Sequence, residues 1–289
     1  MKLSTTSRWD LRYQHKDRCR TRNGGELYFE AYGDGAPLVF INNFFITAPV
    51  WRNFTTQLQQ ECAVVTYDLQ NQGASSQPGP GFPFSAHADD LVDLLDHLGI
   101  DDAYLVGTSI STLIARQVAF RHPDRVRGLV LMGPIYSPHG SLRYRMLMRD
   151  WRGRLDAGGP TTLFNSLYPV VFSDRAVGEG GAPGYIGMRQ RFLALNSHEQ
   201  IEACLEAAGQ AEQAADGTAG LPHRTLLMIG DGDAFWSPAT LATACELQPA
   251  AECVVIPDAG HLPFFEQPEA YEAAVLRFVR ASEQRRMPS

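Results

Sequence analysis

The sequence predicts an α/β fold, a mainly parallel sheet flanked by helices, with a helical segment inserted among its later strands. Three observations predict it. From residue 26 onward, short apolar runs alternate with helix-length amphipathic stretches, the rhythm of strands joined by helical crossovers. Most of those runs are continuous and rich in β-branched residues, as strands buried on both faces are. Between residues 136 and 219 the rhythm stops, and helical pieces separated by Gly/Pro-rich turns replace it. A chain of 289 residues can hold one large α/β domain or a core carrying an added lobe.

Residues 1–22 carry Lys2, Arg8, Arg12, Lys16, Arg18, Arg20 and Arg22 against Asp10 and Asp17. They read as an N-terminal extension or solvated edge strand rather than a binding arm. Glu26 to Tyr32 alternates and ends at the turn signal Gly33-Asp34-Gly35, which suits a strand near the sheet edge. Leu38 to Ile41, Ala63 to Tyr67, Tyr104 to Val106, Leu129 to Met132, Thr225 to Ile229 and Cys253 to Ile256 supply the remaining strands. Between them, Ser85 can cap a helix that aligns Leu91, Leu94, Leu95 and Leu98 on one face and stops at Gly99. A second helix follows Ser109, and a third carries Tyr271, Ala274, Val275 and Phe278. The irregular stretch contains helical pieces over 142–151 and roughly 188–215, with turns at Gly158-Gly159-Pro160 and from Gly178 to Gly184. The expected division is therefore a core of 23–135 and 220–289 and a helical cap of 136–219. No internal repeat is visible.

The formal charge of −7 gives no general attraction to nucleic acid or to anionic lipid, so a small molecule is the expected partner. No apolar run is long enough to cross a bilayer, and the charged start lacks a signal-peptide core, so a cytoplasmic location is expected. Five scattered cysteines, Cys19, Cys62, Cys204, Cys245 and Cys253, show no CxxC or zinc spacing and read as inert thiols. No cofactor or metal is expected, because neither a phosphate-cradling glycine loop nor a ligand cluster occurs.

The segment Tyr104-Leu-Val-Gly-Thr-Ser-Ile-Ser111 runs from a buried strand through a tight turn into a helix. A serine at such a turn projects its hydroxyl beyond the sheet edge, provided that its neighbours two before and two after are small. Gly107 and Ser111 meet that demand. Ser109 needs a base and an orienting carboxylate to act as a nucleophile. Pro257-Asp-Ala-Gly-His-Leu-Pro263 places His261 after the last strand, and Gly230-Asp-Gly-Asp-Ala-Phe-Trp236 places Asp231 and Asp233 after the one before it. Ligands bind at that edge of open α/β sheets.

The order Ser, Asp, His, with the surrounding segments 23–135 and 220–282, resembles the α/β-hydrolase superfamily. Leu38 to Trp51 is similar to the family's strand, His-Gly and later Trp. Tyr67 to Ser76 resembles its Asp-x-x-Gly-x-Gly-x-Ser loop, and His122 to Val126 resembles its link into the next strand. The resemblance implies Ser109, Asp233 and His261 as a triad, with Asp233 rather than Asp231 matching the acid. It also implies the backbone N–H groups of Phe44 and Ile110 as an oxyanion hole. Asn42-Asn43 stands in place of His-Gly, Asn71-Gln72 in place of Gly-His, and Ser111 in place of the elbow's last glycine. Asn42, Asn43, Phe45 and Trp236 are the expected substrate contacts, and Phe44, Trp51, Phe235 and Phe264 are further candidates for an apolar pocket. The implied chemistry is hydrolysis of an ester, thioester or lactone of a small apolar metabolite, as in secondary metabolism. Elimination with the same triad and a catalytically silent ligand-binding protein are the alternatives.

Overall fold

A computed structural model describes residues 10–135, 137–211 and 220–286. Eight strands, β1 (Arg18–Arg20), β2 (Glu26–Tyr32), β3 (Ala36–Ile41), β4 (Cys62–Tyr67), β5 (Ala103–Thr108), β6 (Val126–Met132), β7 (Thr225–Gly230) and β8 (Glu252–Ile256), form one sheet. Their order is β1-β2-β4-β3-β5-β6-β7-β8, antiparallel at β1-β2 and β2-β4 and parallel thereafter. Central β3 pairs Val39 with Val65 on one side and with Leu105 on the other. The chain leaves β3 toward β4 and later returns to the opposite side as β5. The loops after β3 and β5 therefore diverge, which opens a crevice at their carboxyl ends.

The strands lie where the apolar runs put them, and β1 pairs antiparallel with β2 at the edge of the sheet. Helix α1 (Ala48–Trp51) follows β3 and α2 (Ala86–Leu98) follows β4. The latter buries Leu91, Leu94 and Leu95 and ends at Gly99, whose φ of 66° makes the left-handed C-terminal turn. Ser85 occupies the N-cap position, but its side chain makes no capping bond. Helix α3 (Ser111–Arg121) follows the elbow, and α7 (Pro238–Leu247), α8 (Pro263–Glu266) and α9 (Pro268–Arg286) complete the layers.

Three helices occupy the insertion between β6 and β7: α4 (Leu142–Val171), α5 (Asp174–Leu195) and α6 (His198–Gly209). The helical content exceeds the expected pieces. Gly158-Gly159-Pro160 and Gly181-Pro183 divide α4 and α5 each into two helical segments, as the turn signals predict, with non-helical backbone at Gly158, Gly159 and Gly181. Each proline falls just past its kink, where the missing N–H costs little. The expected helix end at 215 lies outside the described residues.

Among the cysteines, Cys19, Cys62 and Cys204 are buried thiols, whereas Cys245 and Cys253 form a disulfide with Cα atoms 6.5 Å apart. The reading of all five as thiols is thus corrected for two. Helix α7 ends one short turn before β8, so an eight-residue spacing brings the two side chains face to face. No described helix is long and apolar enough to cross a membrane, and no metal-ligand cluster occurs among the described residues.

Candidate active site

Strand β5 delivers Ser109 to the sheet edge in a left-handed conformation, φ 56°, which a non-glycine residue adopts only when its surroundings enforce it. The enforcement is visible. Ser109 N–H donates to Met132 O at 2.9 Å, and Thr112 Oγ1 donates to Ser109 O at 2.6 Å. A Cβ on Gly107 would lie 2.8 Å from Ser111 O and from Thr112 Cα, so only glycine lets strand and helix approach this closely.

His261 reaches the serine from the loop after β8. Its Nε2 lies 2.9 Å from Ser109 Oγ, and its Nδ1 lies 3.0 Å from Asp233 Oδ2. Asp233 is carried by the turn after β7, and its other oxygen accepts the N–H groups of Phe235 (2.7 Å) and Trp236 (3.1 Å). An ionised carboxylate only accepts, so Nδ1 carries the imidazole proton and Nε2 is left to accept from the serine hydroxyl. Asp231 points elsewhere, accepting Ala259 N–H at 3.2 Å. The histidine is fixed from outside as well. His261 N–H donates to Val171 O at 2.8 Å, Phe235 packs on the ring with centroids 4.5 Å apart, and a Cβ on Gly133 (φ 52°) would strike the imidazole.

Glu266 ties this loop to the insertion. Its buried carboxylate accepts Gly260 N–H at 2.9 Å and both the N–H and the hydroxyl of Ser173, the N-cap of α5. Burial raises its pKa, and the donors oppose that shift. Sequence reading passed over Glu266, since a lone acidic residue after a Phe-Phe pair carries no motif.

The loop after β3 is held as firmly. Asp68, fully enclosed, accepts from Asn42 Nδ2 (3.1 Å), Ala48 N–H (2.7 Å), Ala74 N–H (2.8 Å) and the Tyr13 hydroxyl (2.8 Å). Burial pushes its carboxyl up to about 6 despite these donors. Asn42 Oδ1 accepts from Trp51 Nε1 at 2.7 Å, Gln72 Nε2 donates to Asn43 O at 2.5 Å, and Asn43 Oδ1 accepts Phe45 N–H at 2.9 Å. The N–H groups of Phe44 and Ile110 donate to no group among the described residues, and both residues line the same cavity as Ser109.

That cavity has a volume of about 110 Å³. Its floor is Ser109, His261, Phe44 and Ile110, and its roof comes from Trp151, Phe164 and Leu167 of α4 and Met188, Phe192 and Leu195 of α5. Of the expected contacts, Asn43, Phe45 and Phe235 lie on its wall. Asn42 and Trp236 do not, and this corrects the expectation for both. Asn42 is spent on Asp68 and Trp51, and Trp236 is buried behind Asp233. Trp51 and Phe264 stack on one another in the core, with centroids 4.7 Å apart.

The sequence profile of the alpha/beta hydrolase fold matches residues 36–268. This chain belongs to the α/β-hydrolase family. A thermophilic esterase from Thermogutta terrifontis superposes with a TM-score of 0.82 at 26% identity, over 93% of this chain and 99% of that one. A pimeloyl-[acyl-carrier protein] methyl ester esterase of Nitrosospira multiformis is 24% identical, covering 88% of this chain and 98% of its own. A non-heme chloroperoxidase of Kitasatospora aureofaciens is 27% identical over 84% and 91% of the two chains.

In this α/β-hydrolase the departures from the family pattern have structural reasons. Ser111 Oγ accepts Thr108 N–H at 2.8 Å and lies 2.8 Å from Ile41 O, so it ties the elbow to the end of β3. Asn71 adopts φ 65°, which asparagine tolerates, and pairs with both backbone groups of Gly79. Asn43 needs no positive φ and closes an Asx turn instead.

Proposed function

We propose that this protein is a serine hydrolase that cleaves a carboxylic ester, thioester or lactone of a small, apolar molecule through an acyl-enzyme. The observation that carries the reading is the continuous hydrogen-bonded chain Ser109–His261–Asp233 at the floor of an apolar cavity. The esterase names of two similar proteins agree with it.

In the reaction, His261 Nε2 takes the Ser109 proton as Oγ attacks the substrate carbonyl, and Asp233 stabilises the imidazolium that forms. The carbonyl oxygen gains negative charge and is received by the N–H groups of Phe44 and Ile110. One such donor is worth roughly 3 to 4 kcal/mol to the transition state when fixed in advance. The bonds that fix the Phe44 loop supply that fixation. His261 then protonates the leaving alcohol, thiol or lactone oxygen, activates a water against the acyl-enzyme, and returns the proton to Ser109.

The cavity is well below the roughly 300–1,000 Å³ of drug-sized sites, which supports a small substrate, and its aromatic roof supports an apolar one. Helices α4 and α5 act in this reading as the cap that shapes the substrate. The side chains of Asn42 and Asn43 are engaged in holding their own loop rather than turned to a substrate, which favours hydrolysis over elimination. Incubation with an alkyl fluorophosphonate and intact-mass measurement tests the nucleophile. One adduct per chain, mapping to Ser109 and lost in Ser109→Ala, is expected; an unlabelled wild type overturns the reading and favours a ligand-binding role.

A further inference from the structure

The N-terminal segment reads in sequence as a solvated extension, and the family match begins only at residue 36. The structure puts residues 10–13 to a different use. Arg52, one residue past α1, donates to Arg12 O at 2.7 Å and to Asp10 O at 3.4 Å, and its other side is held by Glu30. The Tyr13 hydroxyl donates to Asp68 at 2.8 Å, its ring meets Tyr28 edge-on at 4.8 Å, and a Cβ on Gly73 would lie 2.2 Å from that hydroxyl. Between these two anchors Leu11 is half-buried against the core and forms part of the cavity wall that Ser109 shares.

We propose that residues 10–13 are a strap across the substrate cavity and that Leu11 is a specificity-determining residue, limiting the length of the apolar chain that the site holds. Three features carry this. The segment is stitched down by three hydrogen bonds placed on either side of Leu11, more than an idle tail requires. Its Tyr13 anchor is the same carboxylate, Asp68, that pins the loop of Asn42 and Ala48, so strap and oxyanion loop share one support. An apolar side chain held between two polar anchors and turned onto an apolar wall excludes water there and occupies volume that a longer chain would need. In this role Leu11 acts by contact with substrate, while Tyr13 and Arg52 position it.

The inference rests on the hydrolase reading for its substrate, and its test is arranged to stand apart from that reading. Two series are measured, p-nitrophenyl esters of increasing acyl length and acetate esters of increasing alcohol length. For Leu11→Ala the ratio of kcat/KM for long over short chains rises roughly tenfold in one series, the discrimination that one or two methylenes carry. For Leu11→Trp, which keeps the apolar contact and fills the wall, the ratio falls. Tyr13→Phe, which releases one anchor, moves it in the direction of Leu11→Ala by less. In the Ser109→Ala background the same p-nitrophenyl esters are titrated against the fluorescence of Trp151 on the cavity wall, so chain-length dependence of Kd is read without turnover. A shift of that dependence with Leu11→Ala supports the strap even where the wild type hydrolyses nothing. Identical length profiles in Leu11→Ala, Leu11→Trp and wild type, by turnover in both series and by binding, overturn it.

Discussion

Ser109 is held in a left-handed conformation that costs about 1–3 kcal/mol, and its neighbours carry that cost. Ser111 is one of them. Ser111→Ala removes the acceptor of Thr108 N–H and the donor to Ile41 O inside the core. A loss of about 1–3 kcal/mol in urea unfolding is expected for a buried partner left unsatisfied. Asp233 and Asp231 separate sharply. Asp233→Asn leaves the histidine in the wrong tautomer and lowers kcat on an ester substrate by roughly 10⁴. Asp231→Asn, which touches only the Ala259 turn, retains activity near that of the wild type in the same assay. At this scale the hydrogen-bonded set of Ser109, His261 and Asp233 was legible in the sequence, because a Gly-x-Ser elbow and two loops at strand ends constrain residue type locally. It concealed the destinations of the asparagines. Asn42 and Asn43 looked available for substrate, but where a side-chain amide spends its bonds depends on Asp68, Trp51 and Gln72, brought together only by folding.

The elements that matter most are the loop after β8 and the junction of α4 with α5. His261 N–H rests on Val171 O, and Glu266 joins Gly260 to Ser173. The histidine therefore sits on the insertion as much as on the sheet. Glu266→Ala strands the N–H groups of Gly260 and Ser173, and it is expected both to lower Tm and to reduce kcat per fluorophosphonate-titrated site. A lowered Tm with unchanged kcat per site would make Glu266 purely structural. Strand positions were legible because parallel strands buried on both faces leave continuous apolar runs. The insertion was legible only as a break in rhythm. Glycine and proline at 158–160 and 178–184 signal turns, and they divide α4 and α5 there, each proline lying just beyond its kink, where no hydrogen bond is forfeited.

Across the whole molecule, titratable groups buried away from the site contribute to the pH dependence of stability. Asp90 is enclosed beside Gln70 and Asn23, and burial raises its carboxyl to about 7 from 3.8. Its pKa is higher folded than unfolded, so its contribution is fully present below about 4 and is lost as pH rises to about 7. His87, whose pKa burial lowers to about 4, works in the opposite sense, losing its contribution as pH falls from about 6.5. Asp90→Asn removes the first effect, together with the carboxyl that lies 3.9 Å from His87 Nδ1. The difference in Tm between variant and wild type should move in favour of the variant from pH 4 to pH 7 and then level off; a pH-independent difference would show that Asp90 is ionised throughout. Sequence composition gave no sign of such groups, since burial of an acidic residue is a property of the assembled sheet and helices.

Acyl transfer by Ser109 is the central proposal, and hydrolysis of short p-nitrophenyl esters by wild type and Ser109→Ala tests it most directly. The account predicts turnover by the wild type and a loss of several orders of magnitude in a variant that folds with an unchanged Tm. Equal turnover by the two proteins would contradict it, and would mean that Ser109 is not the nucleophile.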